Sequence, residues 1–126
     1  MQLGRLEHVN IRTSHLDAMV DWYIRILGMT NGWRPSFGFP GAWLYAGDHP
    51  VVHMVGTAQN PKGIEPRIEH FAFSAQGLAE FRVRLDDARI AYSVDPVPDL
   101  PYIQVNLRDP DGNHIHVDFA SSEAGV

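Results

Sequence analysis

Seven histidines in a chain without cysteine are the residues best able to do chemistry here, and four of them recur in register. His8 closes the phrase Arg5-Leu6-Glu7-His8, and His70 closes Arg67-Ile68-Glu69-His70. His53 stands inside Val52-His53-Met54, and His116 inside Ile115-His116-Val117. Neutral imidazole is the commonest side-chain ligand of transition metals, and first-row divalent ions accept several at once. Four histidines at equivalent points of a repeated sequence therefore point to one metal site gathered by two copies of one unit. The other three carry less weight. His15 stands at a helix start and His49 in a turn, where exposure is the default, while His114 shares the face of His116 by strand parity and reads as a rim residue. Asp118 shares that face as well and reads as a polar residue at a sheet end.

The repeat extends past the histidines. With the offset held, Ile11 meets Phe73, Leu16 meets Leu78 and Met19 meets Phe81. Two copies are too few for a solenoid, so a pseudo-symmetric pair of modules is expected: module one over 1–57, a linker over 58–66, module two over 67–120 and a frayed tail over 121–126. Alternation predicts a strand from Leu6 to Arg12, with Leu6, His8, Asn10 and Arg12 on one face. Thr13-Ser14 supplies a helix cap. Leu16, Met19, Val20, Tyr23, Ile26 and Leu27 then fall on a helical stripe that Gly28 ends. A loop with one short strand follows over 31–41, then strands over 42–46 and 51–55 about a turn at Gly47-Asp48-His49-Pro50. Module two repeats the order: a strand over 68–74, a helix opening at Ser74 or Gln76 with Leu78, Phe81 and Leu85 buried, then strands over 91–94, 102–108 and 114–119. Asp109-Pro110-Asp111-Gly112-Asn113 is a strong turn before the last of these. Arg5, Glu7, Arg67 and Glu69 read as salt bridges flanking the strand ends.

Composition sets the outer bounds. One compact unit of 126 residues with 44% hydrophobic residues is an ordinary globular chain. A net charge of −5 without a basic run argues against a nucleic-acid partner. The first residues lack the apolar core of a signal peptide and no stretch reaches the length of a membrane span, so no membrane partner and a cytoplasmic location are expected.

With these residues in hand, the chain resembles the vicinal oxygen chelate superfamily of glyoxalases, bleomycin and fosfomycin resistance proteins and extradiol dioxygenases. The carriers are the Glu7-His8 and Glu69-His70 strand openings, the helix end Tyr23-Ile24-Arg25-Ile26-Leu27-Gly28-Met29, and the segment Arg108-Asp109-Pro110-Asp111-Gly112-Asn113. The resemblance covers nearly the whole chain. It implies an α+β fold of two pseudo-symmetric βαβββ modules, a cup-shaped, mostly antiparallel sheet around one divalent metal ion (Fe, Mn, Zn or Ni), a small-molecule substrate and a homodimer. In that family the last strand carries a glutamate ligand where this chain has His116. The corresponding first-module position, glutamate in glyoxalase I, is His53. Glutamate moves the substrate proton in the isomerising members, so two histidines here count against a straightforward glyoxalase I. They also depart from the two-histidine, one-carboxylate site of non-haem iron oxygenases.

An all-histidine site leaves the ion its full charge and makes it a stronger Lewis acid than one held by two glutamates. It would draw in a bidentate anionic oxygen donor. The favoured arrangement has His8, His70 and His116 as metal ligands and His53 beside them as an acid/base near neutral pH; with all four as ligands the site becomes more structural. Tyr102 is a candidate hydrogen-bond donor to a bound oxygen, against the plain reading of an exposed strand residue. Trp33, Phe39 and Trp43, in a segment that also holds Phe37 and Tyr45, are candidates to face a flat substrate or, equally, to serve as packing. Three functions follow: a dioxygenase-like metal enzyme as the leading one, a glyoxalase- or epimerase-type lyase or isomerase working through an enediolate, and an antibiotic-type small-molecule binding protein.

Overall fold

The structure, a computed structural model, describes residues 1–2, 4–63 and 66–125. Ile64 and Glu65 of the expected linker and Val126 of the expected tail lie outside the described residues. The chain divides into two compact units, Met1–Gly63 and Ile64–Val126. Unit 1 runs β1 (Val9–Thr13), α1 (Leu16–Arg25), β2 (Thr30–Gly32), β3 (Gly41–Ala46) and β4 (His49–Gly56). Unit 2 runs β5 (His70–Ser74), α2 (Leu78–Asp87), β6 (Tyr92–Pro96), β7 (Tyr102–Arg108) and β8 (His114–Ala120). The sheets have the same order, β1-β4-β3-β2 and β5-β8-β7-β6. The paired βαβββ modules expected from the repeat and the α+β class implied by the resemblance are both present.

In each unit the first strand lies parallel to the last, β1 with β4 and β5 with β8, and the remaining pairs are antiparallel. Successive side chains of a strand point to opposite faces, and the helix covers one face only. In unit 2 that face carries Ile103, Val105, Leu107, Ile115, Val117 and Phe119 against Leu78, Phe81 and Leu85 of α2, with the rings of Phe81 and Phe119 at 5.9 Å. In unit 1, Met19, Trp22, Tyr23 and Ile26 bury against Ala42, Leu44, Val52 and Met54. Each such large side chain contributes about 1.5–3 kcal/mol of burial energy. The opposite faces are left for polar residues: His114, His116 and Asp118 in unit 2, and Asn10, Arg12 and His53 in unit 1.

Several local expectations are corrected. The strands open at Val9 and His70, not at Leu6 and Ile68. Those two apolar residues are 85% and 74% exposed, so alternation alone did not carry the strand without a pairing partner. The turn after β3 is only Gly47-Asp48; His49 and Pro50 already belong to β4, with a register shift at Leu44/Tyr45. Thr13 Oγ1 accepts the N–H of His15 at 2.9 Å, while Ser14 turns away to Asn60. Gly28 does end α1, at φ 71°, its N–H donating to the Ile24 carbonyl. Gly41 permits close strand approach, since a Cβ there would sit 2.5 Å from the Met54 carbonyl oxygen.

The start of α2 and the tail are linked. Neither Ser74 nor Gln76 caps the helix; Gly77 does, at φ 92°, with no side-chain cap of its own. The segment expected to fray instead forms a 3₁₀ turn, Ser121–Glu123. The Glu123 carboxylate accepts the N–H groups of Gly77 at 2.9 Å and Leu78 at 3.0 Å. An anion at a helix N-terminus is favoured both by the orphan donors and by the helix dipole. Glu123→Ala is expected to destabilise the protein by about 1–2 kcal/mol, with Glu123→Gln in between, as read by urea unfolding. An unchanged midpoint in both would remove the tail from the fold's stability.

Candidate functional site

The polar face of unit 2 gathers three histidines because of strand register. Parallel pairing sets His70 beside His114 and Ala72 beside His116, and antiparallel pairing sets Asn106 opposite His116 and Arg108 opposite His114. The rings of His70 and His116 stack face to face at 3.9 Å and 14°. His114 meets both edge-on, at 5.4 Å and 4.7 Å. One nitrogen from each of the three lies within 4.8 Å of the other two. Ligand bonds of about 2.0–2.1 Å place ligand nitrogens roughly 3–3.4 Å apart, so small ring movements separate this cluster from a coordinating one.

The hydrogen bonds around the cluster select lone pairs. Glu69 takes the Nδ1–H of His70 and, at 2.7 Å, that of His114. These two hydrogen bonds, His70 first, hold its exposed carboxyl down at about 2. A carboxylate on one imidazole nitrogen fixes the tautomer and makes the other nitrogen the lone-pair donor, as it does around bound metals. His114 differs: its Nε2 lies 3.1 Å from Asn106 Oδ1, an acceptor whose own Nδ2 is committed to Asp95. The His114 ring must therefore turn from Asn106 before its Nε2 lone pair can reach an ion. His116 is buried, and its Nδ1 has no hydrogen-bond partner among the described residues. Burial first, then the neighbouring His70 and His114, push His116 below the ordinary histidine value and keep it neutral. The neutral His116 ring, with its orphaned buried nitrogen, fits a divalent transition ion. The sequence reading underrated His114 as a rim residue and explained Glu69 as a strand-end salt bridge. Parity did place His114 on the right face; the parallel pairing that brings it to His70 carries no local signal.

Unit 1 repeats the stack with different surroundings. His8 Nδ1 lies 3.1 Å from Glu7 Oε1, and the His8 ring stacks on His53 at 3.9 Å and 10°. Glu7, like Glu69, thus turns to its neighbouring histidine. His53 is buried, stacks in turn on Trp43 at 4.0 Å, and lies 2.9 Å through Nε2 from the Pro50 carbonyl. Nε2 must therefore carry the proton and Nδ1 the lone pair. Burial first, then His8, lowers its pKa. Where unit 2 has His114 and Asn106, unit 1 has Val51 and Trp43. Aromatic rings continue outward. Trp33 meets Trp43 edge-on at 6.2 Å, Phe37 stacks on Phe39 at 5.1 Å, and the Arg34 guanidinium lies over both phenyl rings. Trp33 is 73% exposed and Phe39 46%.

The structure thus joins His70, His116 and His114 in unit 2, and His8, His53 and Trp43 in unit 1. Tyr102 shares the histidine face of β7 but opens that strand, exposed and paired with Ala120. Four residues separate it from Asn106, about 13 Å of strand.

The family pattern of the Glyoxalase/Bleomycin resistance protein/Dioxygenase superfamily matches residues 5–117. The chain belongs to this superfamily. A protein of Arabidopsis thaliana named "Glyoxylase I 4" is 28% identical over 93% of this chain and 71% of its own length. A manganese-dependent 2,3-dihydroxybiphenyl 1,2-dioxygenase of Geobacillus genomosp. 3 is 30% identical over 60% of this chain, which spans only 24% of that enzyme. The glyoxylase/bleomycin resistance protein/dioxygenase domain from Frankia sp. EAN1pec shares the fold with a TM-score of 0.77 at 18% identity, over 94% of this chain and 93% of that one. No helix among the described residues is long and apolar enough to cross a membrane.

The lowered pKa values of His53 and His116 give metal-free protein a defined pH response. Unfolding returns both to the ordinary value of 6.5, so the unfolded chain binds more protons just below that pH. Their contribution is complete above 6.5 and is lost as pH falls through the lower folded values. The Glu69 contribution is present above 4.5 and lost only as pH falls to about 2. Urea unfolding of the chelator-treated protein should show stability dropping as pH falls below about 6.5, with the slope flattened in a His53→Gln/His116→Gln double variant. An equal slope in both proteins would refute the assignment.

Proposed function

We propose that this superfamily member is a divalent-metal-dependent enzyme that holds a small-molecule substrate through two vicinal oxygens and is dioxygenase-like in its chemistry. The observation that carries the reading is the His70, His114 and His116 cluster, whose nitrogens converge without a carboxylate among the ligands. Two of its members, His70 and His116, were candidates from sequence; His114 replaces His8 as the third within unit 2. The ion would supply Lewis acidity and, if iron or manganese, a redox partner for O₂. The chain's own residues do the rest. Glu69 holds two of the rings by their Nδ1–H groups, and burial keeps His116 neutral and ready to ligate. His53 serves as an acid/base group in unit 1, with its Nδ1 lone pair set by the Pro50 hydrogen bond. Trp33, Phe39 and Trp43 offer flat faces to a planar substrate. A homodimer and a cytoplasmic location, expected from the sequence, belong to the same proposal. Tyr102, exposed at the far end of β7, retains only a supporting role as a hydrogen-bond donor.

A second reading, a lyase or isomerase of glyoxalase type working through an enediolate, is favoured by one observation: the similarity to the protein named "Glyoxylase I 4" spans nearly the whole chain. His53 would then take the place of the usual glutamate base.

Elemental analysis of protein purified without chelator or oxygen tests the metal. Near-stoichiometric metal is expected in the wild type. His70→Ala and His116→Ala should lose it, and His114→Ala should bind about tenfold more weakly or worse. Retention in His114→Ala with loss in His8→Ala would return the third position to His8. Oxygen uptake by Fe(II)- or Mn(II)-loaded protein over a catechol panel then separates the chemistries. No uptake, with turnover of methylglyoxal and glutathione, would exchange the leading reading for the second.

A further inference from the structure

Beside the histidine cluster, unit 2 has a groove of about 580 Å³ lined by Arg89, Tyr92, Ser93, Asn106, Arg108 and His114, among others. The volume lies within the range of small-molecule sites. His114 is thus shared between the metal cluster and the groove. Ser93 pairs with Asn106, and Arg108 with His114, across adjacent strands, so these residues stand on the face that carries the histidines. In a chain of net charge −5, the groove lining holds two guanidinium groups and no carboxylate. Three carboxylates flank the lining, each turned to one or two of its donors. Asp95 accepts from Ser93 Oγ at 2.6 Å and Asn106 Nδ2 at 3.1 Å, Asp86 from the Tyr92 hydroxyl at 2.9 Å, and Glu69 from His114 Nδ1 at 2.7 Å.

The two arginines are held differently, and both ways are informative. Arg108 donates from Nη1 to the Gly112 carbonyl at 3.0 Å, which fixes its head at the end of β7. Arg89 sits just past the end of α2 at φ 57°. Its N–H bonds to the Asp86 carbonyl and that of Ile90 to the Leu85 carbonyl, the paired bonds of a helix terminus that favours glycine. Unit 1 has Gly28 at the corresponding helix end, at φ 71°. Unit 2 thus keeps a long cationic side chain in a left-handed conformation where its sister unit uses glycine. Backbone strain of this kind persists where the side chain has a use.

We propose that this groove binds the anionic group, a carboxylate or a phosphate, of the same small molecule whose two oxygens the ion would hold, making the substrate an acidic vicinal-oxygen compound. The substrate part rests on the metal-enzyme reading; the anion site itself does not. Planar guanidinium groups match the geometry of either anion through paired N–H bonds, and His114 ties the anion site to the metal cluster.

Two measurements keep the two readings apart. Metal-free protein is titrated with inorganic phosphate and with acetate at matched ionic strength, against a chloride control, by amide NMR. Saturable shifts should cluster at Arg89, Ser93, Asn106 and Arg108, and the tighter of the two anions names the group. Arg89→Gly should weaken that binding about fivefold or more while leaving Tm equal or higher, because glycine relieves the strain. Shifts that follow chloride, or unchanged affinity in Arg89→Gly, would overturn the anion site. Metal-loaded protein is then compared for catechol and 3,4-dihydroxybenzoate. The acid should bind about tenfold tighter, and an Arg89→Gly/Arg108→Gln variant should lose that preference with metal content unchanged. Equal binding of both by the wild type would overturn the substrate class while leaving the metal site standing. Failure to load metal would remove the metal-enzyme reading and with it the substrate class, and the phosphate and acetate titration would still decide the groove.

Discussion

Parallel pairing of the first and last strand of each unit is the constraint from which the site geometry follows. It places a histidine at the mouth of the first strand (His8 just before β1, His70 opening β5) next to the strand that carries a second one, so that His8 lies on His53 and His70 on His116, each pair at 3.9 Å. Neighbouring imidazoles disfavour each other's protonation, and burial adds to the effect, so the closing-strand histidine of each pair is held neutral. The parallel arrangement needs a crossover connection. In both units the helix occupies that crossover and covers the apolar face, leaving the other face to the histidines. A register slip of one residue would exchange the two faces, and Ile115, Val117 and Phe119 resist it because each would have to leave the core.

The two copies differ on that common frame. At the positions around the closing histidine, unit 1 has Val51 and Trp43 where unit 2 has His114 and Asn106. The result is a ring stack in one unit and a nitrogen cluster with a bridging carboxylate in the other. The helix ends differ too, Gly28 in unit 1 and Arg89 in unit 2. Around the closing histidine unit 1 carries aromatic surface where unit 2 carries imidazole and amide groups.

Much of this was legible from sequence because repeats and alternation are local patterns. The order of elements, the buried stripe Leu78, Phe81 and Leu85, and the strand at 102–108 came from periodicity alone. The four repeated histidines were found by equivalence, without knowing which strands pair. What was missed depends on contacts distant in sequence. His114 gains its role from β5, and Glu69 from two rings of which one is 45 residues away. Glu123 caps a helix whose own sequence offers no capping side chain at Gly77. Leu6 and Ile68 show the converse: alternation predicted strand, and no partner strand was there to fix it.

The placement of Glu69 bears on the balance between the two chemistries. In the proposed site the ligand atoms are neutral imidazole nitrogens, which favours an anionic oxygen pair and redox chemistry. A negative charge is nonetheless present in the neighbourhood. It stands one residue before His70, outside the ligand set, and reaches the cluster through Nδ1–H bonds to two imidazoles. A carboxylate so placed raises the donor strength of both rings without occupying a coordination position, so open positions for a bidentate substrate are preserved. Its low pKa, about 2, makes it a weak proton acceptor at neutral pH, because efficient general bases are poised near the working pH. The same hydrogen bonds that suit Glu69 to orienting ligands therefore count against it as the base of an isomerase, and this tips the balance toward the dioxygenase-like reading.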